Sequence, residues 1–172
     1  NKGSISIECE DGVKFIAGNE TNLTPFWVDS VDFFKWVGGE IDANRDQQTW
    51  SGDYPDNQYA LFIDNVKLSI IKDLRCKNAL TDNLVVTGDG GQPTKISIIE
   101  NVYSENAQYD GLLLSDHGES SILYAYISDF LDTLSDTVSI ELMGRVYAQA
   151  SRIKSINSKR GIILQNLYTL SL

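Results

Sequence analysis

Proline, cysteine, histidine and long apolar runs are all scarce in this chain of 172 residues, and each scarcity closes off a class of protein. The single histidine, His117, excludes a metal centre built on two or more histidine ligands from one chain, and the two cysteines, Cys9 and Cys76, lack zinc spacing. Being far apart in strand-like segments, those cysteines are expected as buried free thiols, since free Cys behaves as a small hydrophobe. No apolar run of about 18 residues occurs to span a bilayer, and Asn1-Lys2-Gly3-Ser4 lacks the apolar core of a signal peptide. Lys and Arg total 14 against 24 Asp and Glu, and the resulting net charge of −10 repels phosphate backbones and anionic surfaces. Neither nucleic acid binding nor membrane insertion is expected. Gly-x-Ser-x-Gly elbows and Walker phosphate loops are also absent, against α/β-hydrolase and P-loop chemistry.

What is present is a repeat. Ser69-Ile70-Ile71, Asn78-Ala79, Asp82, Leu84 and Gly90 reappear 28 residues later as Ser97-Ile98-Ile99, Asn106-Ala107, Asp110, Leu112 and Gly118. A period of this size built from short β-rich units signals stacked coils, each burying its apolar face only against its neighbour. Short apolar or alternating runs predict strands at 4–9, 13–16, 26–28, 33–37, 60–63, 68–71, 84–86, 96–99, 112–114, 122–127, 138–142, 153–156 and 162–164. All are three to six residues long. Turn formers such as Asp11-Gly12, Gly38-Gly39 and Asp110-Gly111 separate them, and only 127–134 looks helical.

Weaker echoes extend the frame. Asp32-Phe33-Phe34-Lys35 takes the place of Ser69-Ile70-Ile71-Lys72, displaced by 37 residues because of an insertion at 42–58, and Asp136-Thr137-Val138 takes the Asp110-Gly111-Leu112 slot. Coils of about 24–28 residues with one excursion predict an all-β chain, 1–172, forming a single-stranded parallel β-helix domain that is a segment of something longer. A propeller needs about 40 residues per blade, and a sandwich gives no reason for Asn and Asp to recur in register.

Gly38-Gly39-Glu40-Ile41-Asp42-Ala43-Asn44 followed by Trp50, then Asn78-Ala79-Leu80-Thr81-Asp82, resembles the pectate-lyase-like right-handed β-helix superfamily, most closely the bacteriophage tailspike and polygalacturonase-type domains. The resemblance implies right-handed coils with three parallel sheets, ladders of Asn or Ser at the bends, and polysaccharide binding along an outer face. For tailspikes it further implies a homotrimer located on the virion tail or outside the cell, directed at bacterial surface polysaccharide. The polygalacturonase pattern is incomplete: Asp110 is single where a pair is expected, and His117 follows it within one coil, although Arg152-Ile153-Lys154 comes in the right order.

Independently of the resemblance, glycoside hydrolysis needs two carboxyl groups held about 5–10 Å apart. Strand spacing of about 4.8 Å would stack Asp82, Asp110 and Asp136 in a column, where like charges raise one pKa and supply an acid. Asp82 and Asp110 are therefore the candidate catalytic pair. The alternative is that they cap turns, as Asp before Gly or Asn commonly does. Asn78 and Asn106 are expected in a side-chain ladder. Candidate sugar-binding residues are Trp50 and Tyr54 in the insertion, Asp116, His117 and Glu119 in the following turn, and Arg152 on the basic C-terminal part. A solvated charged face is the plainer account of Arg152. No cofactor is expected. Calcium alone comes into view, because 42–53 carries Asp42, Asn44, Asp46 and Asp53 in an order that echoes a calcium loop, with Gln47 in place of the turn glycine.

The functional expectation is a polysaccharide-binding β-helix whose carboxylates hydrolyse the glycan, with hydrolysis preferred over lyase chemistry. The other class is a non-catalytic adhesion or spacer module of a viral fibre or surface assembly.

Overall fold

A computed structural model describes residues 3–20, 23–49, 58–88, 94–118, 121–165 and 169–171. In chain order its strands are β1 (Ser4–Glu8), β2 (Lys14–Ile16), β3 (Phe26–Asp29), β4 (Phe33–Val37), β5 (Glu40–Asp42), β6 (Leu61–Asp64), β7 (Leu68–Lys72), β8 (Arg75–Lys77), β9 (Leu84–Thr87), β10 (Thr94–Glu105), β11 (Asp110–Asp116), β12 (Ile122–Thr133), β13 (Val138–Gly144), β14 (Val146–Ser151), β15 (Lys154–Ile156), β16 (Arg160–Gln165) and β17 (Thr169–Ser171).

Strand pairing among these residues is parallel throughout and runs in columns. The first column is β1-β4-β7-β10-β12-β14-β17, the second links β2-β5-β8 to the C-terminal halves of β10 and β12 and then to β15, and the third is β3-β6-β9-β11-β13-β16. The chain thus visits the three columns in rotation, an arrangement compatible with a β-helix or another solenoid-like fold. The 28-residue repeat falls into direct register: Ser97 pairs with Ser69, Ile98 with Ile70 and Ile99 with Ile71.

Parallel register stacks like on like. Trp36, Ile71, Ile99, Ile127 and Ala150 form one inner row and Leu61, Leu84, Leu112 and Ile140 another, all buried. Each fully buried Leu or Ile contributes about 1.5–3 kcal/mol of transfer free energy. At the N-terminal coils Phe15, Phe26 and Trp36 meet edge to face at 4.7–5.6 Å.

The corners turn on left-handed residues. Asp73, Asn101, Asp129 and Arg152 occupy one corner with φ of 52–53°, and Asn78, Asn106, Leu134 and Asn157 another with φ of 57–63°. Asn and Asp tolerate this region because their short polar side chains bond locally. The expected Asn ladder is there: Asn106 Nδ2 donates to Asn78 Oδ1 at 2.8 Å, and Asn78 Nδ2 donates to Asp42 Oδ1 at 2.9 Å. Leu134 ends it, and Arg45 donates to Asn106 Oδ1 at 2.8 Å instead.

The structure corrects several expectations. Segment 127–134 is strand up to Thr133, part of β12, whose inward Ile127 and Phe130 pack in the core on either side of the left-handed corner at Asp129. That corner offset, three residues instead of two, imitates helical periodicity. Strands β10 and β12 each run 12 residues because hydrogen bonding continues through the corner. Phe34, not Asp32, pairs with Ser69, and Val138, not Asp136, lies opposite Asp110. A two-residue slip leaves inward and outward faces unchanged, so patterning alone could not detect it. Strands β5, β8, β14 and β17 add to the expected set; the first two carry charged outward residues that mask their strand character in the sequence. Cys9 and Cys76 are free thiols as expected, but only Cys76 is fully buried and Cys9 is half-buried.

Candidate active site

Both ends of β11 bear a buried carboxylate, Asp110 at its start and Asp116 at its finish. At the start, Asp82 from the coil before is only 6 % exposed and Asp110 only 4 %. The backbone N–H of Asp110 donates to Asp82 Oδ1 at 2.9 Å, and Thr137 Oγ1 donates to Asp110 Oδ1 at 2.7 Å. Glu141, half-buried on β13, comes close enough to raise the carboxyl of Asp110 and to act on that of Asp82 by its charge. Burial pushes the Asp82 carboxyl up to about 7, opposed by the Asp110 N–H and reinforced by the charge of Glu141. Burial likewise raises Asp110, to about 8, and the neighbouring Glu141 carboxyl and the charge of Asp82 act in the same direction. Three carboxyl groups from consecutive coils therefore converge where water is largely excluded.

Oγ1 of Thr81, the neighbour of Asp82, has no hydrogen-bond partner, nor has Oε1 of Gln58, whose backbone carbonyl accepts from the Thr81 N–H at 3.4 Å. Buried groups of this kind are normally satisfied by water or a bound molecule. Glu141 also belongs to an outer row of the third column that runs Trp27, Phe62, Val85, Leu113, Glu141, Ile163. Trp27 at the far end is 51 % exposed and lies 4.5 Å from Phe62, on which Tyr59 stacks at 5.0 Å; Val85 between the two ends is buried.

The other expected residues are placed differently. Asp136 stands outside the column and pairs with Arg45 at 3.7 Å. Asp116 is fully buried and faces Lys95. His117 is exposed beside Gly144. Arg152 is a corner residue that grips Asp129 of the preceding coil through Nε and Nη2 at 2.5 and 2.6 Å. Trp50, Tyr54, Glu119 and Asp53 lie outside the described residues. Of the proposed calcium ligands, Asp42 accepts from the Asn44 N–H and pairs with Lys77, and among the described residues no group of three or more His, Cys, Asp or Glu is placed to hold a metal.

Sequence reasoning missed Glu141, although its signal was present. Continuing the 28-residue frame by one more coil sets Val138-Ser139-Ile140 against Asp110-Gly111-Leu112 and brings an acidic residue, opposite Leu113, into the otherwise apolar run. Lys95 carries no such signal, because in the sequence it reads as an ordinary charge before an apolar strand.

No helix among the described residues is long and apolar enough to cross a membrane. No family model, curated protein or solved structure matches the chain.

Proposed function

We propose that the chain is a right-handed parallel β-helix of the pectate-lyase-like, tailspike-like kind that binds bacterial surface polysaccharide and hydrolyses it through the Asp82, Asp110 and Glu141 carboxyls. The convergence of these groups, two of them raised to about 7 and 8, is the observation that supports the reading most directly. A carboxyl raised that far keeps its proton near neutrality and can protonate a glycosidic oxygen, while a second carboxylate supports the developing oxocarbenium ion or activates water. Glu141 is the most solvent-accessible of the three, which supports a role for it as the group that meets substrate. Trp27, Phe62 and Tyr59 at the far end of its row offer flat aromatic faces for sugar C–H groups. A homotrimer on a virion tail or outside the cell is the assembly and location this reading carries with it.

A non-catalytic adhesion or spacer module is the second reading. It is favoured by the low exposure of Asp82 and Asp110 and by the bond that ties Asp82 to the backbone of the next coil.

Reducing-end release from capsule and O-antigen polysaccharides separates the two. Hydrolysis by the unaltered protein, reduced at least about a hundredfold by Glu141→Gln and by Asp110→Asn in folded variants, is the expected result. Retained binding without release would replace the enzyme reading by the adhesive one.

A further inference from the structure

The finish of β11 holds a lysine and a carboxylate arranged as reactants. Lys95 is 1 % exposed and Asp116 is fully buried, with Nζ 3.4 Å from Oδ2. Nζ also donates to the Gly88 carbonyl at 2.8 Å, which fixes its position at the end of β9. The other carboxylate oxygen, Oδ1, accepts from the Gly118 N–H at 3.0 Å and from Ser121 Oγ at 2.5 Å. Ser121 Oγ lies 3.2 Å from the Gly88 carbonyl as well.

The packing around the pair admits nothing more. A Cβ on Gly88 would fall 2.8 Å from Lys95 Nζ and 2.9 Å from Asp116 Oδ2, and a Cβ on Gly118 would collide with Ser121 Oγ. Glycine at both positions lets the amine, the carboxyl and its two donors close together. A buried ion pair by itself gives little net stability, because desolvation of both charges offsets their attraction. The arrangement has a more specific chemical capacity.

We infer that Lys95 and Asp116 join in an intramolecular amide, an isopeptide cross-link between the start of β10 and the end of β11. Nζ passes one proton to Oδ2 across their 3.4 Å contact, and the lone pair so freed attacks Cγ of Asp116, forming the N–C bond. Negative charge gathers on Oδ1, where the Gly118 N–H and the Ser121 hydroxyl are already aimed in the manner of an oxyanion hole. Oδ2 departs as water with two of the three protons of the ammonium, the third remaining on the amide nitrogen. Ammonium plus carboxylate gives amide plus water, with no oxidant, reductant or further reactant. Holding amine and carboxyl together replaces an improbable encounter by an intramolecular step with a high effective molarity. Exclusion of bulk water keeps the product from hydrolysis.

Nothing in this reaction depends on glycan chemistry. Its test is the intact mass of the purified, folded protein under denaturing, reducing conditions. The expected mass is lower than that of the sequence by one water. Trypsin should then fail to cut after Lys95, leaving residues 78–145 as one peptide that lacks a water. Lys95→Arg should restore the full mass, because a guanidinium does not form this amide. Full mass in the unaltered folded protein overturns the cross-link, as does a water loss that persists in Lys95→Arg or maps to another residue.

Discussion

The two ends of β11 solve the same problem in opposite ways. Asp110 and Asp116 close the two ends of a single seven-residue strand, both 4 % exposed or less. Asp116 meets an ammonium, a backbone N–H and a hydroxyl within a cradle of glycines. Asp110 meets a hydroxyl and two more carboxyls, Asp82 and Glu141. Burial alone therefore does not set the state of an acid in this stack; the residue that arrives from the adjoining coil does. One end brings an acid to a base and the other gathers acids on one another.

Removing Lys95 erases the distinction from one side and carries the largest expected effect. Lys95→Met leaves the Asp116 carboxyl buried with neither a cation nor an amide bond and should cost at least about 3–5 kcal/mol, read as a lower midpoint in urea unfolding. A cost below about 1 kcal/mol would mean that the hydroxyl and N–H on Oδ1 suffice.

The Asp110 end predicts a pH dependence of definite sign. Both Asp82 and Asp110 have folded-state values above their ordinary 3.8, so the folded protein binds more protons than the unfolded chain between about 4 and 8. Their contribution to stability is complete below about pH 4 and is lost as pH rises through 7 and 8. Each tenfold difference in proton affinity between the folded and unfolded chain is worth about 1.4 kcal/mol, so the loss is several kcal/mol, less than two independent groups would give because the clustered carboxyls do not titrate independently. The urea midpoint should be lower at about pH 8.5 than at about pH 5, and Asp110→Asn should flatten the difference. A midpoint that rises with pH in the unaltered protein would contradict the arrangement described.

The smallest effect tests the corners that set the coils in register. Leu134 holds φ at 63° where Asn78, Asn106 and Asn157 stand in other coils, and its side chain is 47 % exposed. Leu134→Asn should stabilise the fold by about 0.5–1 kcal/mol by relieving left-handed strain and lengthening the Asn ladder. Thermal unfolding of the single variant would show this as a modest rise in Tm.

Much of the fold was legible because stacked coils write their spacing into the chain. The offset between Ser69 and Ser97 is the offset between hydrogen-bonded neighbours, and their hydroxyls touch at 2.9 Å. Asn78 and Asn106 announced the ladder for the same reason. Asp82 and Asp110 were legible as a column, but Asp136 does not belong to it: it stands 26 residues after Asp110, whereas the 28-residue frame holds at this coil and sets Val138 opposite Asp110. Charge type is also misleading: Asp116 and Arg152 read as residues awaiting a ligand, whereas each has an ionic partner within the chain.

The sequence by itself determined that the chain would be β-rich and built from repeating units, that its Asn and Asp would recur at bends, and that two aspartates would stack on consecutive coils. These follow from periodicity, which is a local property of the order of residues. Tertiary structure alone decided that Glu141 would complete the acidic cluster and that Lys95 would meet Asp116. Those partners approach from different coils, and which one arrives depends on coil length and corner geometry accumulated along the stack. A carboxylate's chemistry is set within a few ångströms of its oxygens, a distance over which sequence separation has no meaning.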